Sequence, residues 1–473
     1  MSEGNDGWVP ARPGESSAVT VAARLDRLPP TRYLRLLVTR ISLGGWFEFY
    51  DLFMSAYIAL GLIKAKLFNA TTANPVDIAG FASFVGAGFA GMFLGTIFFS
   101  WLSDRYGRRA IFTYSLIWYS VATLVMAMMP TAGLIDLWRL LAGIGVGVQL
   151  ITIDSYVSEL TPNESRGHFI AFSQFITFTA VPVVALLSYL LIPRQIVGLD
   201  GWRWVAILGA LGAVFVYFLR RGLPESPRWL ERHGRQAEAM AVLGEMERQV
   251  RAETGAELAE VQAAADESTE GAARWSEIWS PTYRSRTVML VIFNFFQTIG
   301  FYGFASWVPV LLFSEGVSLV HTLEYTFAIA IMNPVGPLIA MYFADRLQRK
   351  WQIVGLAIAI AVFGLAFSQV RVPALIILFG VLITLANNWF SCAFHTYQAE
   401  LYPTRIRAQA VGFVYSWSRF SSIFIGFAIA VALKSYGTIG VFTLIAIAMA
   451  VVAVVIGSLG PNTSRTRLEL LSP

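Results

Sequence analysis

The chain has 473 residues, 56% hydrophobic and only 14% charged, with a net charge of +5. Soluble domains carry about 25% charged residues, so much of this chain is built for hydrocarbon rather than water. The single cysteine, Cys392, excludes an intrachain disulfide and thiolate metal sites. The four histidines (168, 233, 321 and 395) have no metal-ligating spacing, and no nucleophile-elbow, zinc-protease or phosphate-loop motif occurs. We therefore expect neither an enzyme nor a metal protein. The basic residues gather in short connecting segments, a pattern that suits a lipid bilayer rather than nucleic acid as partner.

In chain order, residues 1–33 are polar and rich in Pro and Gly, lack the apolar core of a signal peptide, and are expected to form a mobile cytosolic tail. Six apolar runs follow, near 36–60, 79–101, 110–128, 135–157, 168–192 and 202–219, each about as long as a helix that crosses a bilayer. A polar segment, 220–285, then interrupts, with an amphipathic helix expected outside the membrane. Six more runs lie near 286–313, 322–344, 350–368, 372–396, 407–433 and 438–459. The reading is an all-α membrane protein of twelve transmembrane helices. Its units are a tail (1–33), a six-helix bundle (34–219), a linker (220–285), a second bundle (286–460) and a short cytosolic tail (461–473). Arginines concentrate on the side that holds the linker and both termini, so by the positive-inside rule that side is cytoplasmic.

The two bundles repeat. "SDRYGRR" at 103–109 returns as "ADRLQRK" at 344–350, and "SYVSELTPNESRG" at 155–167 returns as "TYQAELYPTRIRA" at 396–408. Asp104 and Asp345, Glu159 and Glu400, and Arg166 and Arg407 all stand 241 positions apart. A duplicated six-helix unit places a site at mid-membrane between the halves, as in secondary transporters.

Charges inside the apolar runs are costly and mark candidate sites. Glu48 and Asp51, in "GGWFEFYDLF", are three residues apart on one helix and are candidate proton sites. Arg419, near the middle of the eleventh run, is too deep to reach the interface and is a candidate to hold a carboxylate through its planar fork. Pairing with an acid such as Glu48 is the alternative. Gln149, Gln174, Asn294, Gln297, Asn387 and Asn388 fall at similar depth and are candidates to hydrogen-bond a ligand or to link helices. Tyr50, Trp389 and Trp417 are candidates to stack on a ring or simply to pack. His395 and Asp154 lie near helix ends and are expected to be structural.

"GTIFFSWLSDRYGRRAIF", the 241-residue repeat and "LPESPRWL" at 223–230 resemble the major facilitator superfamily in its sugar-porter-like branch, and the likeness runs from Leu34 to Leu470. The paired glutamines of sugar porters are missing from the seventh run, where Gln297 stands alone. "FEFYDLF" and "YGFASWVPVLL" are more similar to organic-acid symporters. The resemblance implies a two-bundle fold, Asp51 as proton carrier, and Arg139 as its switchable partner. A permanent Asp51–Arg139 pair that holds two helices together is the alternative. It also implies a cytoplasmic gate made of Asp104, Arg105, Arg108, Arg109, Glu159 and Arg166, mirrored by Asp345, Arg346, Glu400 and Arg407, whose pairs part when the inside opens. The expectation is proton-coupled symport of a small organic anion, a carboxylate or aromatic acid, across the inner membrane by a monomer, with H+ as driving ion and no cofactor. Alternatives are a sugar or polyol symporter, a proton-driven exporter, or a sensor that docks a partner on 220–285.

Overall fold

The computed structural model describes residues 21–70, 80–99, 101–162, 165–212, 215, 218, 223–260, 275–343, 347–402 and 404–462. It is all-helical apart from a two-strand ribbon, β1 (Gln195–Ile196) against β2 (Leu199–Asp200), which turns through Val197 and Gly198 at positive φ. The first bundle contains α2 (Arg32–Lys64), α3 (Phe81–Phe99), α5 (Arg108–Met128), α6 (Ala132–Leu160), α7 (Arg166–Phe178), α8 (Ala180–Leu191) and α9 (Gly201–Ala210). A short α1 (Val21–Asp26) precedes it, and α4 (Trp101–Tyr106) connects α3 to α5. The linker contributes α10 (Pro227–Arg232), α11 (Gln236–Thr254) and a 3-10 turn at Trp275–Trp279. The second bundle contains α12 (Arg284–Ala305), α13 (Val308–Ser314), α14 (Leu319–Ala330), α15 (Val335–Phe343), α16 (Arg349–Gln369), α17 (Pro373–Glu400) and α18 (Thr404–Leu459).

Ten stretches are long and apolar enough to cross a membrane. The last is two spans joined at Gly437, whose φ of 67° and ψ of −163° turn the chain back, which makes eleven among the described residues. Helix α9 lies in the apolar run 202–219 expected from sequence to be the twelfth of the two bundles. Breaks fall where the sequence withholds a backbone donor. Pro182 follows the α7–α8 break at Thr179, Pro309 follows the α12–α13 break, and Pro334 sits at the α14–α15 break. There the amides of Met332 and Asn333 bond three residues back instead of four.

Close backbone approach comes from small residues. A Cβ on Gly91 would sit 2.1 Å from the Leu140 carbonyl oxygen, and one on Gly95 would sit 2.2 Å from that of Ile144. Gly143 and Gly147 leave matching gaps on α6, so α3 and α6 cross almost backbone to backbone.

The linker is fixed to the first bundle. Glu253 accepts hydrogen bonds from the Arg32 and Tyr33 amides at 2.6 and 2.8 Å and so caps α2. Glu247 takes both Arg24 (2.7 Å) and Arg27 (2.8 Å). Burial opposes ionisation of Glu247, but these arginines overcome it and hold the carboxyl below its ordinary value. Residues 21–30 are therefore packed against α11, which departs from the mobile tail expected of them. Residues 1–20 lie outside the described residues.

Further along, Glu225 accepts from the Arg108 and Arg109 amides at 2.9 and 3.2 Å, and Trp229 donates to the Asp104 carbonyl. Gly107, at φ +96°, is needed here, because a Cβ would meet a Glu225 oxygen at 2.4 Å.

At the face opposite the linker the halves close on each other. Phe81 packs edge-on to Trp307 with centroids 5.1 Å apart, and Tyr189 stacks on Phe327.

Candidate functional site

A cavity of about 310 Å3 lies between the bundles, from mid-membrane toward the linker face. That volume suits a small molecule. The first bundle lines it with Glu48, Phe49, Asp154, Gln174 and Phe178, and the second with Gln297, Tyr302, Phe394, His395, Tyr415 and Arg419. With the opposite face closed, the cavity opens only on the linker side among the described residues, and the exposed Asp154 and His395 stand at that open end.

Arg419 is 4% exposed and carries the cavity's deep positive charge. Its Nη1 donates to the Tyr302 hydroxyl at 2.9 Å and its Nη2 to the Tyr415 hydroxyl at 3.2 Å. Among the described residues no carboxylate lies within ion-pair distance of it. Two phenols orient the guanidinium without neutralising it, and the side chain lines the cavity. A buried cation of this kind is stable only if an anion completes it. The pairing with Glu48 open at the sequence level is not formed. Gln174 and Gln297 line the cavity, and neither makes a hydrogen bond to protein among the described residues.

Glu48 and Asp51, though one turn apart, serve different places. Glu48 lines the cavity, whereas Asp51 turns into the first bundle. There Asp51 Oδ2 accepts from Arg139 Nη1 at 2.6 Å and Oδ1 from the Thr123 hydroxyl at 2.9 Å, while Arg139 Nη2 reaches the Asp51 carbonyl at 3.1 Å. Both partners are buried. Gly88 makes room for the Arg139 side chain, since a Cβ there would be 3.0 Å from Nε.

Several candidates are not brought to the cavity. Gln149 is buried behind α2 against Ser115, and Asn294 donates to the Leu290 carbonyl and to Gln398. Asn388 donates to Asn333, and with Asn387 it lines a small separate pocket toward the closed face. Tyr50 donates to the Val205 carbonyl. Trp389 donates to Gln352 and stacks on Phe343, and Trp417 packs on Phe420. A neighbouring helix supplies the polar partner of Gln149, Asn388, Tyr50 and Trp389, whereas Trp417 packs on a ring of its own helix.

Conversely, Asp154 and His395, expected to be structural, line the cavity because it widens toward their ends of α6 and α17. Tyr302 and Tyr415 were not singled out from sequence. Tyr415 was legible as the residue one turn before Arg419 on a helix; Tyr302 comes from another helix and left no local signal.

The charge sets also differ from expectation. Arg108 pairs with Glu159 at 2.8 Å and Asp104 at 2.6 Å, and Arg349, not a residue of the expected set, pairs with Glu400 at 2.7 Å. These pairs hold while the cavity is open on their face, because both partners belong to one bundle and move together. Arg105, Arg109 and Arg166 take part in further interactions. Asp345 and Arg346, and the side chain of Arg407, lie outside the described residues.

Comparisons with known proteins agree with this geometry. A family model described as sugar (and other) transporter matches residues 37–473. YyaJ of Bacillus subtilis (strain 168), provisionally named a metabolite transport protein, is 33% identical over 447 residues, covering 94% of this chain and 96% of its own. The niacin transporter NiaP of Acinetobacter baylyi (strain ATCC 33305 / BD413 / ADP1) is 28% identical over 450 residues, covering 95% and 99%. Among solved structures, the xylose transporter XylE of E. coli in a partially occluded inward-open conformation superposes with a TM-score of 0.73 at 19% identity, covering 92% of this chain and 100% of that one. Twelve spans, an internal repeat and a ligand-sized cavity between two bundles thus converge with the family match: this chain is a multi-pass membrane transporter, not an enzyme, and belongs to the sugar (and other) transporter family of the major facilitator superfamily.

Proposed function

We propose that this transporter carries a small organic anion, a carboxylate on an aromatic ring, together with protons across the bacterial inner membrane by alternating access. The observation that carries the reading is Arg419, buried in the cavity with two phenols on it and, among the described residues, no carboxylate within ion-pair distance. Phe49, Phe178 and Phe394 supply apolar walls for a ring. That a relative is named a niacin transporter supports the same chemistry, niacin being a pyridine carboxylic acid.

The arginine-rich linker face is taken as cytoplasmic, so this conformation faces inward and would release its ligand to the cytosol. The Asp51–Arg139 pair is the coupling device. H+ taken from outside neutralises Asp51 and loosens Arg139, the loaded carrier turns inward, and loss of the proton to the cytosol re-forms the pair seen here before the empty carrier returns. H+ is the driving ion, no cofactor is needed, and a monomer contains the whole path. A neutral sugar or polyol is the second reading, favoured by the uncommitted amides of Gln174 and Gln297.

A pH-electrode trace on lightly buffered cells expressing the protein tests both readings. Addition of benzoate or nicotinate should alkalinise the medium. Alkalinisation with xylose alone would overturn the anion assignment, and none with any of the three would overturn the coupled-symport reading.

A further inference from the structure

The proposed carboxylate accounts for one end of the cavity and leaves another group unexplained. Glu48 is 1% exposed, lines the cavity, and its Oε1 has no hydrogen-bond partner among the described residues. Buried carboxylate oxygens are nearly always satisfied. Two donors near it in sequence or on α7 are committed elsewhere, and the buried Tyr119 hydroxyl of α5 has no partner of its own among the described residues. Trp46 donates to Thr179, and Thr177 donates to the Ser173 carbonyl. Gly45 beside it offers no side chain.

Every charged or titratable group lining the cavity has a different situation. Arg419 is held by Tyr302 and Tyr415, while Asp154 and His395 are exposed at the open end. Asp51 is turned away onto Arg139. Glu48 is thus an acceptor supplied by the first bundle to the cavity that also holds the guanidinium of the second. The walls are rings: Phe49 edge-on to Phe178 at 5.0 Å from the first bundle, Phe394 stacked on His395 at 4.2 Å from the second.

We propose that Glu48 is a specificity-determining contact which accepts a hydrogen bond from a hydroxyl or amine on the ligand's ring, so that the preferred ligand is an aromatic acid carrying a donor away from its carboxylate. This rests on the carboxylate reading of Arg419 and adds a second anchor to it. A ligand held at both ends also joins one bundle to the other, whereas a plain aromatic acid satisfies only Arg419 and leaves Glu48 stranded. A site built around a polar contact discriminates strongly against an analogue that lacks it.

The test is binding of benzoate, 3-hydroxybenzoate and 4-hydroxybenzoate to the full-length protein in nanodiscs at neutral pH, by calorimetry. At least one hydroxybenzoate should bind about tenfold or more tighter than benzoate, the range of a charge-assisted hydrogen bond. Glu48→Leu should erase that preference, with a monodisperse gel-filtration profile in detergent certifying that the variant folds. Should the leucine variant fail to fold, the isosteric Glu48→Gln decides. A neutral acceptor should cut the preference to roughly threefold, and an unchanged preference would overturn the assignment. Equal binding of all three acids to the unaltered protein would overturn it too, while leaving Arg419 in place. Binding of none of them would overturn the carboxylate reading itself, and this inference with it.

Discussion

Asp51→Asn is the sharpest test of coupling, because the structure predicts two effects of different kinds. The substitution keeps the shape and two acceptor or donor positions, so Thr123 and Arg139 retain contacts at 2.9 and 2.6 Å. It removes the charge that compensates Arg139, whose surroundings are as buried as its partner's. Breaking one member of a buried pair costs about 3–5 kcal/mol, most of it the penalty of the stranded charge. The Asp51 carbonyl and the Phe84 ring face, 5.7 Å from the guanidinium, soften that penalty toward the lower end. Asp51→Asn should therefore lower thermal stability in detergent by about 3 kcal/mol. Adding Arg139→Gln should restore most of it, since neither charge is then buried. In proteoliposomes the single variant should lose accumulation driven by a pH gradient yet still exchange internal for external ligand. Undiminished accumulation would refute Asp51 as the coupling site. Loss of stability without recovery in the double variant would refute the stranded-charge account.

Arg419→Lys keeps the charge but cannot serve two phenols and a carboxylate from one point, so affinity for benzoate should fall at least about tenfold; unaltered affinity in nanodiscs would remove Arg419 from the site. Gly95→Val should prevent accumulation of monodisperse protein, since even its Cβ would lie 2.2 Å from the Ile144 carbonyl oxygen, and normal gel filtration would show that α3 and α6 can part. The contacts of Glu247 with Arg24 and Arg27 hold its carboxyl below the ordinary 4.5, so the anchorage of residues 21–26 should be complete above that value and lost as pH falls through the lowered one. A spin label at Ala22 should gain mobility on acidification or, at neutral pH, on Glu247→Gln; equal mobility in all three states would contradict the anchor.

Much of the fold was legible because hydrocarbon imposes a simple code. Runs of about twenty apolar residues must be helices there, and the expected run at 36–60 lies within α2 as 350–368 falls on α16. Residue type accounts for the breaks at Pro309 and Pro334, since proline has no backbone donor to give. The site was less legible. Arg419 stood out because charge in a bilayer is rare, but depth says nothing about direction. Gln149 and Asn294 are as deep as Gln297, yet their helix faces turn to neighbours. Glu48 and Asp51, one turn apart, diverge because α2 is wrapped on several sides and each side offers a different environment. Contacts made by a residue from a distant helix, as Tyr302 makes with Arg419, have no local trace at all.

The caps and clamps on the linker divide its mechanical allegiance. Everything through Thr254 is bolted to the first bundle by Glu225, Glu231, Glu247 and Glu253. From Trp275 onward the chain travels with the second, through the Thr287 hydroxyl on the Ile278 carbonyl and Trp279 edge-on to Phe413. The segment that looked in sequence like one connector thus carries two anchors, one on each bundle. When the bundles rock, torque from each is taken up at its own anchor, so the linker can follow both without loosening either.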